Sequence, residues 1–229
     1  CKTEILQKII PDNYRDKAIL FTDVAVAPLE IKTSSLKIHG EKIQYIIVGN
    51  LDPWRGFDVL IEAFKLAVKV NPNIHLKIIG NGVDWNRLRD LIKSKNLNEK
   101  INMLGKVSMK VYYEQMMGSD VVVNTSLKEG AVTTSFDSMS MGIPLICVDT
   151  TGYTRYFTND YALIIPIQKR EKLILSLEEA ILKLTDKEVR FQMGLHSKEA
   201  GKRFTWDSKG KEIYTAISEA YYNSTVSNK

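Results

Sequence analysis

Residues 43–70 read IQYIIVGNLDPWRGFDVLIEAFKLAVKV, and this stretch decides the fold. Five of the six residues Ile43 to Val48 are apolar, four of them in succession, and the run stops at Gly49, the pattern of a strand covered on both faces. From Asp58 the period changes, with Leu60, Ile61, Phe64 and Val68 on one face of a helix running to Val70. Asn71-Pro72-Asn73 is a turn. The alternation then repeats. Ile74–Ile79 ends in Gly80-Asn81-Gly82, and a helix follows with Trp85, Leu88, Leu91 and Ile92 in one stripe. Ile101–Leu104, a helix over 111–117, Val121–Val123, a helix from about Thr134 to Met141 ending at Gly142, Ile143–Val148 with Pro144 at the strand entry, and Ala162–Ile165 complete the series. Short strands alternating with helices imply right-handed βαβ units and a parallel sheet covered on both sides. The fold class is therefore α/β: a Rossmann-like, doubly wound parallel sheet with helices on both faces, spanning about 41–170.

Working outward, the last sixty residues read as helices. Ile174, Leu177, Ile181 and Leu184 form one stripe, and Ile213, Tyr214, Ile217 and Tyr221 another. The domain is expected over 41–222, with a frayed tail over 223–229. Residues 1–40 fit the alternation poorly and are expected to be a leading segment or linker. The chain begins with Cys1 and shows no signal-like segment, so it reads as a piece of something longer.

The whole chain has 229 residues, 44% of them apolar, enough for a sizeable core. With 13 Gly and 6 Pro it is neither collagenous nor of low complexity. No apolar run reaches the roughly 18 to 20 residues of a bilayer span. Cys1 and Cys147 are too few for a disulfide scaffold or a cysteine zinc site, which favours a reducing compartment. The net charge of +5 suits an anionic partner. Nucleic acid is disfavoured, because Lys and Arg are spread among acids along the helices and do not cluster with aromatics.

In an open parallel sheet, ligands bind at the carboxyl ends of the strands, near the reversal of strand order. The candidate residues therefore follow the strands: Gly49, Asn50 and Arg55; Gly80 and Gly82; Gly105, Lys106 and Val107; residues 124–130; and 149–152. Each of these loops holds a glycine, which any one turn could require by itself; five together favour a ligand cleft. The most informative segment is EGAVTTSFD, residues 129–137. Gly130 opens a loop, and Thr133, Thr134 or Ser135 can cap the next helix. Such a helix start offers N–H groups and a partial positive charge to a diphosphate. Glu129 before it and Asp137 within it could each accept hydroxyl groups of one ligand. A capping acid and a surface aspartate would be the plainer account of the same spacing.

The segment VGNLDPWRGFDVLIEAF, residues 48–64, resembles the V-G-R-L…K-G-x-D-x-L-I-x-A-F segment of the GT-B-type retaining glycosyltransferases (glycosyl transferases group 1, family 4). LKIIGNG at 76–82 resembles their L-x-I-x-G-x-G, and INMLGKV at 101–107 their V-x-F-L-G-x-V. EGAVTTSFD followed by SMSMGIPLICVD, residues 129–149, is similar to E-G-x6-E-A-M-A-x-G-x-P-V-V-A-x-D. RFTW at 203–206 resembles the R-F-S-W that opens the last helices. The resemblance runs in order over 43–222 and implies the C-terminal, nucleotide-sugar-binding half of a GT-B fold.

That resemblance implies roles. Glu129 would contact the donor sugar, the catalytic position. Backbone amides of Gly130, Ala131 and Val132 and the helix start at Thr133 and Thr134 would hold sugar and diphosphate. Asp137, one methylene shorter than the usual Glu, would bind the ribose hydroxyls. Asn50 and Arg55 stand where the two basic diphosphate ligands usually are, so one charge is lost and one kept. Lys106 and Val107 would present their backbone to the base. The acid that often follows the next turn is absent, with Arg155 near its place. The implied donor is a UDP-, GDP- or ADP-sugar, with no covalently bound cofactor and no metal. His39, His75 and His196 form no metal-binding spacing and read as structural.

The implied activity is transfer of the sugar, with retention, to a saccharide or lipid-linked acceptor in surface polysaccharide or glycoconjugate synthesis. The acceptor site would lie in an N-terminal domain of about 150 to 200 residues that residues 1–40 cannot supply, so the fragment alone is expected to be inactive. A cytoplasmic location is expected, with peripheral contact to anionic lipid at the inner membrane face left open. Two alternatives remain: a nucleotide-sugar epimerase-like relative, and a non-catalytic module binding nucleotide or a partner.

Overall fold

The computed structural model describes residues 4–15, 18–19, 24–26, 41–128, 132–150 and 153–226. Two short helices, α1 (Glu4–Ile9) and α2 (Asp12–Arg15), precede the alternating body. The body runs β1 (Ile43–Val48), α3 (Phe57–Val70), β2 (Ile74–Ile79), α4 (Trp85–Ser94), β3 (Ile101–Gly105), α5 (Met109–Met117) and β4 (Val121–Asn124). It continues with α6 (Thr133–Met141), β5 (Leu145–Asp149), β6 (Ala162–Pro166), α7 (Arg170–Lys183), α8 (Lys187–Gly201) and α9 (Trp206–Val226). The six strands form one parallel sheet in the order β3-β2-β1-β4-β5-β6. The doubly wound architecture expected from the sequence is present. Its order reverses between β1 and β4, where the chain leaves one half of the sheet to build the other.

The apolar runs of the central strands follow from two cores. Along β1, Ile43, Tyr45 and Ile47 join a core with Phe64 of α3, Leu88 of α4 and Leu177 and Ile181 of α7. Ile46 faces the other way, into a core with Met116 of α5, Phe136 and Met139 of α6, and Phe204. Tyr45, Ile46 and Ile47 are successive residues that serve opposite cores, so each of the three is apolar. Tyr45 buries its ring edge-on to Phe64 at 5.8 Å and donates its hydroxyl to the Ile181 carbonyl at 2.7 Å, satisfying the one polar atom that it carries inside.

Strand β5 starts at Leu145, two residues after the apolar run begins, because Pro144 has no N–H for the ladder. Its carbonyl still accepts from Val122 N at 3.0 Å. In the leading segment, Val26 is buried and its N–H donates to the Phe204 carbonyl at 2.8 Å. That short stretch therefore packs on the second core beside the 3-10 turn Lys202–Phe204. Helix α9 continues past residue 222 to Val226, since Asn223-Ser224-Thr225 contains no glycine or proline to stop it. The stripe Tyr214, Ile217 and Tyr221 on α9 is exposed. No helix among the described residues is long and apolar enough to cross a membrane.

Candidate functional site

The loops at the carboxyl ends of β1 and β2 are joined backbone to backbone. Gly49 N donates to Ile79 O at 3.0 Å, Leu51 N to Asn81 O at 3.0 Å, and Asp84 N to Leu51 O at 2.9 Å. Gly80 N in turn donates to Gly105 O at 2.9 Å, bringing in the end of β3. The glycines serve this zipper. A Cβ on Gly80 would lie 1.8 Å from the Gly49 carbonyl oxygen, and one on Gly82 would lie 2.6 Å from that of Leu51. The loop is anchored at Asp84, a buried acid that accepts Arg87 Nε at 3.0 Å; this bond holds its carboxyl below the usual range.

The loop after β4 clamps the 3-10 turn Pro53–Arg55. Thr125 Oγ1 donates to Arg55 O at 2.9 Å, and Leu127 N to Trp54 O at 2.9 Å. The Arg55 guanidinium lies over the Trp54 ring, 4.5 Å from its centroid. Its Nη1 stands 3.4 Å from where a Gly49 side chain would begin, so the guanidinium packs against Gly49 at ordinary contact distance.

The loops after β1, β2 and β3 and the start of α6 enclose a cleft of about 760 Å³, within the size range of sites for small molecules. Nine of the sequence-derived candidates line it: Gly49, Asn50, Gly80, Gly82, Lys106, Val107, Thr133, Thr134 and Asp137. Val132 is buried at the head of α6. Arg55 rests against Gly49 and does not line the cleft itself. Glu129, Gly130 and Ala131 lie outside the described residues.

One local expectation is corrected. The cap of α6 is Val132, whose side chain makes no bond to the helix start, and Thr133, Thr134 and Ser135 are the first three helical residues. Their positions inside the turn keep their hydroxyls from capping it. The amides of Thr133 and Thr134 therefore open the helix at the cleft with no capping side chain from the described residues, the arrangement that suits an anion.

The sequence reading missed Tyr112. This residue of α5 lines the cleft, is 7% exposed, and donates its hydroxyl to Asp137 Oδ2 at 2.5 Å. Burial pushes the Asp137 carboxyl above the usual range, and the Tyr112 bond partly opposes this. Burial and the neighbouring Asp137 charge push the Tyr112 phenol far up, so it stays a donor at neutral pH. The only local signal was a phenol one helical turn before the buried Met116, which obliges its hydroxyl to find a partner.

A raised carboxyl pKa means that the folded state carries an unfavourable buried charge. The penalty is fully present above the folded pKa and vanishes below the unfolded value near 3.9. Asp137→Asn is therefore expected to raise the melting temperature at pH 7, with the gain shrinking to nothing as pH falls toward 4. Thermal denaturation across that range checks it, and a variant less stable at pH 7 would reverse the sign.

A doubly wound domain with a glycine-built cleft at its strand-order reversal is the class defined by this geometry. The sequence profile of the glycosyl transferases group 1 family matches residues 30–197, and the chain belongs to that family. An uncharacterized glycosyltransferase of Methanocaldococcus jannaschii, MJ1178, is 23% identical over 223 residues, covering 96% of this chain and 59% of that protein. Another from the same organism, MJ1059, is 31% identical over 143 residues, covering 62% of this chain and 34% of that protein. The chain thus spans 34% and 59% of these two relatives' lengths.

Among solved structures, the pneumococcal O-GlcNAc transferase GtfA in complex with UDP and GlcNAc superposes with a TM-score of 0.76 at 18% identity, over 89% of this chain and 40% of that one. HepE of Anabaena in complex with UDP and glucose gives a TM-score of 0.68 at 17% identity, over 78% and 49%. The fold is the Rossmann-like half of a GT-B glycosyltransferase. Among the described residues, no group of three or more His, Cys, Asp or Glu could hold a metal ion.

Proposed function

We propose that the chain is the donor-binding half of a glycosyltransferase. The reaction is transfer of a sugar, with retention, from a nucleotide-diphosphate sugar to a saccharide or lipid-linked acceptor, in surface polysaccharide or glycoconjugate synthesis. The observation that carries this reading is the cleft at the strand-order reversal, where the start of α6 and a buried carboxylate face one space. The co-crystallised UDP and sugars of GtfA and HepE support a nucleotide-sugar donor.

In this reading the α6 amides and Arg55 neutralise the leaving diphosphate as the glycosidic bond breaks. Lys106 and Val107 present their backbone to the base, and Asp137 binds the ribose. Glu129 contacts the donor sugar. The acceptor is held by a domain preceding this chain, which works in the cytoplasm with peripheral contact to the inner membrane face.

Titration calorimetry of the chain with UDP, GDP, ADP and their sugars tests the donor site. Binding of one nucleotide is expected, with Glu129→Gln weakening the nucleotide sugar more than the bare nucleotide. A folded chain that binds none of them at millimolar concentration overturns the reading.

A second reading, a non-catalytic nucleotide- or partner-binding module, is favoured by neutral Asn50 in the cleft and by the bond that ties Asp137 to Tyr112. Transfer by the full-length protein that survives Glu129→Ala unchanged would exclude Glu129 from catalysis. Absence of transfer by the unmodified full-length protein would favour the module.

A further inference from the structure

We propose that Trp54 is a positioning residue: its ring holds the Arg55 guanidinium at the rim of the cleft, ready for the diphosphate of the donor. This rests on the donor-site reading above, and it concerns a residue that belongs to neither core and does not line the cleft. An arginine side chain free in water samples many rotamers, and fixing it on a ligand costs affinity. A guanidinium fixed in advance avoids that loss. Here Arg55 Cζ lies 4.5 Å from the centroid of the Trp54 ring, within the range at which the negative face of an indole attracts a cation. Residues one apart on a helix do not face each other, so the contact needs the Arg55 side chain to fold back across the ring. Folded back, it reaches Gly49, with Nη1 and Cζ 3.4 and 3.8 Å from the place of a Gly49 Cβ. Gly49 lines the cleft, so the charge is held beside the ligand space.

Both supports of the guanidinium are pinned. The turn Pro53–Arg55 opens with a proline, whose φ is preset. Arg55 N donates to Asp52 O at 3.0 Å, and Leu127 N to Trp54 O at 2.9 Å. Gly56 closes the turn in the left-handed conformation at φ 70°, and a Cβ there would lie 2.5 Å from the Thr125 carbonyl oxygen. The turn therefore lies backbone to backbone on the loop after β4. Gly49 is tied through its own N–H to Ile79 O. The backbone fixes the Cα atoms of both supports, and the indole fixes where the charge stands. Trp54 is 38% exposed, so replacing it leaves both cores intact.

Titration calorimetry of the 229-residue chain tests this, with whichever of UDP, GDP and ADP it binds most tightly and with the matching nucleoside. Trp54→Leu keeps an apolar side chain but no ring, and should weaken the diphosphate by about 3- to 10-fold, the cost of ordering one long side chain. The nucleoside should be unaffected, having no phosphate for the guanidinium. Trp54→Phe should fall between wild type and Trp54→Leu, because Phe attracts a cation less than Trp does. In an Arg55→Ala background, Trp54→Leu should change diphosphate affinity by less than about twofold, since the ring has no charge left to hold. Melting curves check the fold of each variant. A merely structural ring would lower the melting temperature and weaken diphosphate and nucleoside alike.

Trp54→Leu binding the diphosphate as tightly as the wild type, or more tightly, overturns the proposal. So does a loss that persists in full in the Arg55→Ala background, because the ring then acts without Arg55, and so does an equal loss for the nucleoside. Each of these results leaves the donor site standing. If the wild-type chain binds none of the three nucleotides, the donor-site reading itself falls.

Discussion

Gly80→Ala is expected to lower the melting temperature by about 4–24 °C, at the scale of 2–4 °C per kcal/mol for a protein of this size. Gly80 has φ 139°, a conformation that L side chains rarely adopt. Its missing Cβ would sit 1.8 Å from the Gly49 carbonyl oxygen and 2.9 Å from the carbonyl carbon. Neither backbone can retreat easily, because Gly49 N is bonded to Ile79 O at 3.0 Å and Gly80 N to Gly105 O at 2.9 Å. Backbone strain of about 1–3 kcal/mol and overlap of about 1–3 kcal/mol together reach the exceptional end for a single substitution. Gly210→Ala is the control. It sits in α9 with nothing within 4 Å of the added methyl, and should stabilise the helix by about 1 kcal/mol. Thermal and urea denaturation measure both. A Gly80→Ala variant melting within 2 °C of the wild type would mean that the loop zipper yields freely.

That clash also explains what the sequence could and could not disclose. The glycines after the strands were legible, and so was their clustering at one end of the sheet, because ligand clefts of open parallel sheets lie there. What each glycine meets was not. Gly80 and Gly82 are needed where backbone approaches backbone, between neighbouring loops, and they line the cleft only as a consequence. The strands were legible for a different reason. Ile46 and Ile47 point into opposite cores, so neither position tolerates a polar residue and the run betrays itself.

Contacts between distant segments were silent. Val26 pairs with the backbone of Phe204 across most of the chain, and nothing in the local pattern of residues 24–26 announces it. Tyr112 and Asp137 meet from two different helices, 25 positions apart, so the spacing within either helix carries no trace of the bond. The stripe on α9 shows the opposite limit. Periodicity identified Tyr214, Ile217 and Tyr221 as one face, but periodicity cannot say what covers a face, and these residues are exposed. The cap of α6 was misread because three hydroxyl residues in a row offer three equivalent starts. Backbone geometry, with Val132 extended at φ −122° and ψ 103°, selects among them.

Arg55→Ala is expected to weaken nucleoside-diphosphate binding by about 10- to 100-fold, the loss of one charge-assisted contact worth about 1.5–3 kcal/mol. The backbone of the 53–55 turn is held from outside, by Thr125 Oγ1 on Arg55 O and by Leu127 N on Trp54 O, so it persists when the side chain is cut back. What disappears is a guanidinium stacked on Trp54 and laid against Gly49 at the rim of the cleft. Asn50 in the cleft is neutral, and among the described lining residues Lys106, on the loop after β3, carries positive charge. The loss should therefore scale with phosphate: large for the diphosphate, smaller for the monophosphate and negligible for the nucleoside. Arg55→Lys should recover only part of the affinity, since a point charge replaces the fork that engages two oxygens at once. The difference between wild type and Arg55→Ala should also narrow as salt rises, as expected for a partly exposed charge. Titrating nucleoside, monophosphate and diphosphate at two ionic strengths decides the matter. If all three lose affinity equally, Arg55 acts by shaping the rim through its packing on Trp54, and the diphosphate is held by the α6 amides alone.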